Sequence, residues 1–248
     1  MNRRMLITTN QALFSGDDCP IELPTFGGSM FAAYLLGTDY WDGTSFTTVK
    51  DGSGQGRDLV LTGSMGAKAL AAPGNFATLP FTGDDLCAAH GACTLVTVSQ
   101  IAPDVTGHFF GGYSSVAARY MSLFASSTYA LQALEKDGTA SVTVNDPDSD
   151  GLRAGFEFMA MTSAQDGVSL WRSKNGAGLR RAATSSTTLP TIGGDRPILI
   201  GKGSNGPAPT GNHAFAAAFN KALSSTEMQA LFAKVTLLLA GGGTAVAH

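Results

Sequence analysis

An acidic stretch carries the sharpest chemical signal in the sequence. Asp146, Asp148 and Asp150 are spaced by single residues, Gly151 follows at once, and Glu157 comes after five more residues. This order matches the Asp-x-Asp-x-Asp-Gly-x5-Glu pattern of calcium-binding loops. Spaced carboxylates can converge on one hard cation, and the glutamate can bind it through both oxygens. The pattern predicts a Ca²⁺ site at these four carboxylates. The alternative is a solvated acidic hairpin loop with Glu157 on an outer face, because strands rather than helices flank it.

Aromatic side chains beside amides or carboxylates form a second signal. Tyr40, Trp41 and Asp42 are consecutive in a turn-rich segment, and Trp171 precedes Asn175 near a predicted hairpin. An exposed ring can stack on a sugar while nearby polar groups bind its hydroxyls. These five residues are the predicted ligand-binding set. The alternative, that Tyr40 and Trp41 cover a sandwich edge or fill a subunit contact, stays open because aromatic residues favour interfaces of every kind.

Carboxylates suited to hydrolysis are scarce in this sequence. Glycoside hydrolysis uses two carboxyl groups that flank the scissile bond. The chain has four Glu, at positions 22, 135, 157 and 227, without a cluster on one strand. It has no Gly-x-Ser-x-Gly motif, and no Ser/His/Asp arrangement can be recognised around its four His. We therefore expect no catalytic residues and a protein that is not an enzyme.

Three cysteines, at positions 19, 87 and 93, bear on the redox state. An odd number in a chain without an export signal favours reduced thiols, partly buried. Cys87 and Cys93 would close a small disulfide loop if the protein reached an oxidising environment. Together with His90 they also offer three soft ligands, whereas a structural zinc site uses four.

The elements that must position these groups are short strands. Apolar runs recur between turn residues, and pairs such as Asp137-Gly138 and Asp166-Gly167 supply the positive φ that hairpins require. Many strands at this spacing indicate a sandwich or jelly roll. One helix is predicted near the C-terminus, because Ser224 and Glu227 form a capping box. Apolar residues follow at helical spacing, at Met228, Leu231, Phe232, Val235, Leu238 and Leu239.

Composition narrows the classes of partner. The net charge is −3 and only 14% of residues are charged, so the chain lacks the basic stripe that binds nucleic acid. No apolar run reaches the ~18 residues of a membrane helix. The polar residues 8–11 interrupt the apolar run that a signal peptide needs. We expect a protein made in the cytoplasm that binds no nucleic acid and inserts into no membrane.

The order of the motifs resembles that of concanavalin A-like and laminin-G-like jelly rolls. Phe31 to Tyr34, followed by the turn from Asp51 to Asp58, is similar to their opening strand and turn. The segment from Pro197 to Leu239 reads as strand, loop, strand and capped helix, and resembles their closing segment. The resemblance implies an all-β jelly-roll β-sandwich with one short C-terminal helix. Glucanases of this superfamily carry a Glu-x-Asp-x-x-Glu type of pattern, which this chain lacks.

The domain prediction is an N-terminal arm at residues 1–28, a jelly roll at 29–240 and a tail at 241–248. The arm, the low charge and the richness in Gly, Ala, Ser and Thr resemble structural proteins of tailed phages. That resemblance implies a non-catalytic decoration or tail protein located in the virion. Its partners would be other copies of itself, other virion proteins and cell-surface glycans. The alternative is a free carbohydrate-binding lectin module, calcium-dependent if the acidic loop binds the ion.

Overall fold

The structure is a computed structural model. It describes residues 23–40, 47–103, 105–127, 131–138, 140–147, 155–174, 178–189, 191–241, 243–244 and 246. Within these ranges the chain forms two antiparallel β-sheets, a one-turn 3₁₀ helix at Thr38–Tyr40 and two α-helices. The helices are α1 (Gly83–Cys87) and α2 (Ser225–Gly241).

The strands follow the turn pattern of the sequence closely. In chain order they are β1 (Met30–Leu35), β2 (Thr48–Val49), β3 (Leu59–Thr62), β4 (Leu70–Ala72), β5 (Phe76–Thr82), β6 (Ala92–Ile101), β7 (Gly107–Gly111), β8 (Arg119–Ala125), β9 (Leu131–Asp137), β10 (Ala140–Asn145), β11 (Glu157–Ala164), β12 (Gly167–Lys174), β13 (Gly178–Ser185), β14 (Pro197–Ile200) and β15 (Gly211–Phe219).

The two sheets pack face to face. One has seven strands, in the order β1-β15-β6-β11-β12-β13 with β4 beside β15, and the other has eight, in the order β10-β9-β8-β7-β14-β5-β3-β2. Side chains meet between them, for example the Cys93 sulfur of β6 and the Met121 sulfur of β8, 3.7 Å apart. The predicted all-β sandwich is confirmed.

Helix α2 covers the outer face of the seven-stranded sheet. Strands β6 and β11 are buried at almost every residue, so both of their faces are covered. The Phe158 ring of β11 meets the Phe232 ring of α2 edge-on, with centroids 5.4 Å apart. The predicted capping box is present, because Ser224 N donates to Glu227 Oε2 at 3.0 Å and Glu227 N donates to Ser224 Oγ at 3.3 Å. The predicted apolar stripe of this helix is buried.

The opening turn of the sandwich is built around Asp51. Its carboxylate accepts hydrogen bonds from the backbone N–H groups of Ala33 at 3.0 Å, Ser53 at 2.9 Å and Arg57 at 3.1 Å. A buried carboxylate with this many donors fixes the chain between β1 and β3. The turn that carries the family resemblance is therefore a structural device.

The described N-terminal residues pack on the sandwich. Leu23 is buried, and the Phe26 ring lies 5.9 Å from the Phe219 ring. Residues 1–22, most of the predicted arm, lie outside the described part of the chain, so the domain boundaries stay predictions. Neither described helix has the length and hydropathy that crossing a membrane requires.

Candidate functional site

The eight-stranded sheet presents its outer side to the surroundings, and we call its outward-facing side chains on β7–β10, together with Tyr113 in the loop after β7, the open face. Along β9 the residues alternate: Leu131, Ala133 and Glu135 are buried in the sandwich, while Gln132, Leu134 and Lys136 are half-buried and face outward. Strand β10 alternates in the same way, with Ser141 and Thr143 exposed. Alternation of this kind marks a sheet with one packed face and one partly solvated face.

Four rings cluster on the open face. The Tyr113 ring stacks on the His108 imidazole, with centroids 3.4 Å apart and an interplanar angle of 11°. Tyr120 meets Tyr113 edge-on at 4.9 Å, and Phe124 meets His108 at 4.7 Å. Tyr113, Tyr120 and Phe124 are each half-buried, so part of each ring remains accessible. Rings of this kind offer apolar faces to a ligand.

A glycine-rich loop between β14 and β15 holds the ring stack in place. The Pro207 carbonyl accepts from the His108 backbone at 3.0 Å, and the Tyr113 carbonyl accepts from the Ser204 backbone at 2.8 Å. A Cβ at Gly206 would lie 2.6 Å from Tyr113 Cε1, so only glycine allows this close approach. The loop therefore fixes the Tyr113 ring from one side.

Polar side chains continue the open face next to the rings. Phe124 pairs with Gln132 on β9, which pairs with Asn145 on β10. Gln132 Nε2 donates to Asn145 Oδ1 at 2.5 Å, so the two amides form one hydrogen-bonding unit. Four residues away along the strands, Tyr120 pairs with Lys136. Rings, amides and one ammonium group thus lie along the adjacent strands β7–β10 and the loop that follows β7.

Burial sets the charge of the ring cluster. It lowers the pKa of His108 to about 3, so this imidazole is neutral near pH 7. Its Nδ1 lies 3.0 Å from Ser122 Oγ on the neighbouring strand. Burial, followed by the nearby Tyr113, raises the pKa of Tyr120, which keeps that phenol protonated. The cluster is therefore uncharged, and Lys136 supplies a positive charge beside it.

The predicted calcium residues Asp146 and Glu157 meet around a buried arginine. Arg172 donates from Nε to Glu157 Oε2 at 2.8 Å and from Nη2 to Oε1 at 3.1 Å. Its Nη1 donates to Asp146 Oδ2 at 3.0 Å, and Arg180 Nη2 lies 3.5 Å from Asp146 Oδ1. Burial opposes the charged form of Arg172, but hydrogen bonds and charges of the two carboxylates outweigh it and raise its pKa.

This cluster shows where Glu157 lies, for which the sequence allowed either a Ca²⁺ site or, as the alternative, an outer face. The side chain is buried in an ion pair and does not lie on an outer face. Asp148 and Asp150 lie outside the described residues. Within the described ranges, no group of three or more His, Cys, Asp or Glu could hold a metal ion. The described residues therefore assemble an arginine–carboxylate cluster from this part of the motif, and Arg172 already provides its positive charge.

Two of the predicted sugar-binding aromatics are buried. Tyr40 has no exposed surface, and its hydroxyl lies 2.6 Å from Thr244 Oγ1 near the C-terminus. Trp171 is 4% exposed, with the Arg181 guanidinium 5.8 Å from its ring centroid. Neither ring offers the exposed platform that the prediction required. Trp41, Asp42 and Asn175 lie outside the described residues.

Sequence reasoning missed the open face itself. Tyr120, Ser122 and Phe124 alternate along β8, and this spacing places their side chains on one side of the strand. That signal was present in the sequence. The pattern did not show which of the two sides of β8 packs inward. In the other sheet α2 covers the outer side, so an outer position in a sheet does not by itself mean that a residue is exposed.

A further buried acid, Glu135, lies between the sheets. Its carboxylate accepts from the Ser163 hydroxyl and, at 2.8 Å, from the Gly193 N–H. Burial raises its pKa to about 7, although these two hydrogen bonds oppose the shift. A carboxyl group in this position changes charge near neutral pH.

No family model matches the chain, and no curated protein sequence matches it. Solved structures do match its fold. Trypanosoma rangeli sialidase in complex with sialic acid is 17% identical with a TM-score of 0.58, over 85% of this chain and 33% of that one. Botulinum neurotoxin type C, which interacts with two ganglioside molecules when it enters cells, is 12% identical with a TM-score of 0.62, over 84% and 51%.

A third similar structure is the binding domain of botulinum neurotoxin DC in complex with SialylT, at 12% identity and a TM-score of 0.61, over 84% of this chain and 51% of that one. The chain thus spans between a third and half of the length of these proteins. At such low identity the likeness confirms the β-sandwich fold alone.

The comparison corrects one prediction from the sequence. We predicted a protein that is not an enzyme, on the ground that it lacks a carboxylate cluster. Sialidases are enzymes, and about a third of each sialidase chain shares this fold with the present chain. The missing cluster therefore does not exclude an enzyme. The similar botulinum structure is a binding domain, so the fold occurs in proteins of both classes.

Proposed function

We propose that the chain binds carbohydrate on its open face and that it prefers acidic sugars. One observation carries the proposal: half-exposed tyrosine rings, an amide pair and a lysine lie together on the open face, along β8–β10 and the loop that follows β7. Tyr113 and Tyr120 are half-exposed and offer accessible ring surface to a sugar, and Gln132 with Asn145 offers donors and acceptors to its hydroxyls.

The charge of Lys136 suggests the sugar class. It pairs across the strands with Tyr120, so a carboxylate above this row can meet an ammonium group while the sugar ring contacts the phenol. Sialic acid and gangliosides, found with similarly folded proteins, belong to the carboxylate-bearing class. The neutral His108 adds no competing charge to the site.

The proposal is tested by calorimetric titration with 3′-sialyllactose and with lactose as its neutral counterpart. We expect the sialylated sugar to bind at least about tenfold more tightly, which corresponds to about 1.4 kcal/mol. Lys136→Met should remove that preference, and Tyr120→Ala should weaken both sugars. Leu237→Ala is the matched control, because this residue is 59% exposed on α2, on the opposite side of the sandwich. No binding of either sugar would overturn the proposal.

We also propose the setting, a virion in which repeated copies of the chain carry the glycan-binding face. Its support is the sequence: low charge, richness in small residues and a distinct segment before the sandwich. Light scattering should find an oligomer for the whole chain and a smaller species after removal of residues 1–28. A monomer unaffected by the truncation would favour the free lectin module instead.

A further inference from the structure

Two buried cysteines, Cys87 and Cys93, lie where α1 is followed by β6. Helix α1 ends at Cys87, whose carbonyl accepts from the Gly91 N–H at 2.9 Å. Gly91 has a φ of +57°, a left-handed conformation that turns the chain back toward β6. Cys93 then lies beside Cys87, close enough for the two thiols to affect each other's ionisation; its sulfur is 3.7 Å from the Met121 sulfur, and both cysteines are free.

The two thiols differ in accessibility. Cys87 lines a cavity of about 250 Å³ together with Arg119 and Ile192, and the exposed residues Gln165 and Thr191 lie on the same lining. Cys93 has no exposed surface. Burial, and then the contact with Cys87, raise the pKa of the Cys93 thiol. A small reagent in the cavity can therefore reach Cys87 first.

We propose that Cys87 and Cys93 are a dithiol site that a low-molecular-weight disulfide oxidises to an intramolecular disulfide, with Cys87 attacked first. The Cys87 thiolate attacks one sulfur of the small disulfide, its S–S bond breaks, and one small thiol leaves with the proton that Cys87 lost. Cys93 then loses its proton and attacks the Cys87 sulfur, and the second small thiol leaves. Two protein thiols are oxidised and one small disulfide is reduced to two thiols.

The test uses the whole chain with Cys19→Ser, so that two cysteines remain. The folded, reduced protein is incubated with oxidised glutathione, and remaining thiols are then blocked with N-ethylmaleimide in denaturant. No Lys or Arg occurs between Lys68 and Arg119, so trypsin leaves both cysteines on one peptide. We expect that peptide to lose about 2 Da and to carry no maleimide.

Single variants identify the first thiol to react. Cys93→Ser should trap glutathione on Cys87, a gain of about 305 Da, whereas Cys87→Ser should leave the buried Cys93 unmodified. A peptide with two maleimides after oxidation would overturn the proposal, as would a persistent glutathione adduct without a bridge. Equal reaction of the two single variants would contradict the order of attack. The two-cysteine protein provides its readout even if a single variant fails to fold.

Discussion

Arg172 and Glu157 are joined by two parallel hydrogen bonds between the sheets, of 2.8 Å and 3.1 Å, with almost no exposure to solvent. The same guanidinium reaches Asp146 at 3.0 Å. One buried cation thus serves two buried carboxylates, which ties β12 to β11 and to the end of β10. Removing one partner of such a cluster leaves a buried charge without compensation.

Arg172→Met should therefore lower the free energy of unfolding by about 3–5 kcal/mol, measured by urea denaturation. Arg180→Met is the matched control, because Arg180 is partly exposed and lies 3.5 Å from the same Asp146. A partly exposed pair contributes about 1 kcal/mol or less. Equal losses in the two variants would contradict the role assigned to Arg172.

The same cluster leads to a prediction about calcium. Because Arg172 holds Asp146 and Glu157, we expect millimolar Ca²⁺ to leave the melting temperature of chelator-treated protein unchanged. An ion that binds the folded state would raise it. A rise in melting temperature that Asp148→Ala abolishes would restore the calcium loop predicted from the sequence.

Glu135 predicts a pH-dependent stability. Folding raises the pKa of Glu135 from 4.5 to about 7, because burial disfavours the carboxylate. The contribution of Glu135 to the free energy of unfolding is therefore fully present below pH 4.5 and is lost as the pH rises through 7. Glu135→Gln cannot ionise and can still accept from Gly193. Relative to the natural protein, this variant should gain roughly 3 kcal/mol between pH 4.5 and pH 8, measured by urea denaturation at each pH.

A helix-cap variant provides the comparison for Glu135. Burial opposes ionisation of Glu227, but hydrogen bonds from Lys221 and Ser224 outweigh it and lower its pKa. The contribution of Glu227 to the free energy of unfolding is therefore complete above the pKa of the unfolded state. Glu227→Gln should lower the free energy of unfolding by the same amount at pH 6 and pH 8. Burial also lowers the pKa of His108 and His213. These histidines change the stability of the variant and of the natural protein equally with pH, so their effect cancels when one free energy of unfolding is subtracted from the other. A flat difference for Glu135→Gln would contradict the account.

The loop over the ring stack predicts an effect on binding. Gly206→Ala would place a methyl group 2.6 Å from the Tyr113 ring, which must then move. We expect sialyllactose affinity to fall by about tenfold, roughly 1.4 kcal/mol, in a calorimetric titration. Gly74→Ala is the matched control, because a Cβ there meets nothing within 4 Å. Unchanged affinity for sialyllactose in Gly206→Ala would show that the loop does not shape the binding site.

The fold was predictable because its signals are local. Alternation along the strands, the turn at Asp51 and the cap formed by Ser224 and Glu227 each report on neighbouring residues, and the structure contains all three. Helix α1 was not predicted, since it is five residues long and depends on a capping box between Thr82 and Asp85.

The candidate site was less predictable because it depends on which surfaces become covered. The sequence around Tyr40 is compatible with an exposed aromatic platform. In the structure its hydroxyl is hydrogen-bonded to Thr244, about 200 positions away. Glu157 matched a calcium pattern, but tertiary packing brought Arg172 to it. Exposure and partner choice are set by contacts distant in sequence, and a local pattern does not contain them.

The most direct test of the glycan-binding face is to follow the tyrosine rings by NMR during titration with 3′-sialyllactose. If the sugar binds on the open face, ring signals of Tyr113 and Tyr120 shift in a saturable way. Those of the buried Tyr34 and Tyr40 should stay in place. Saturable shifts confined to residues away from the open face, or no shifts at all, would contradict the account.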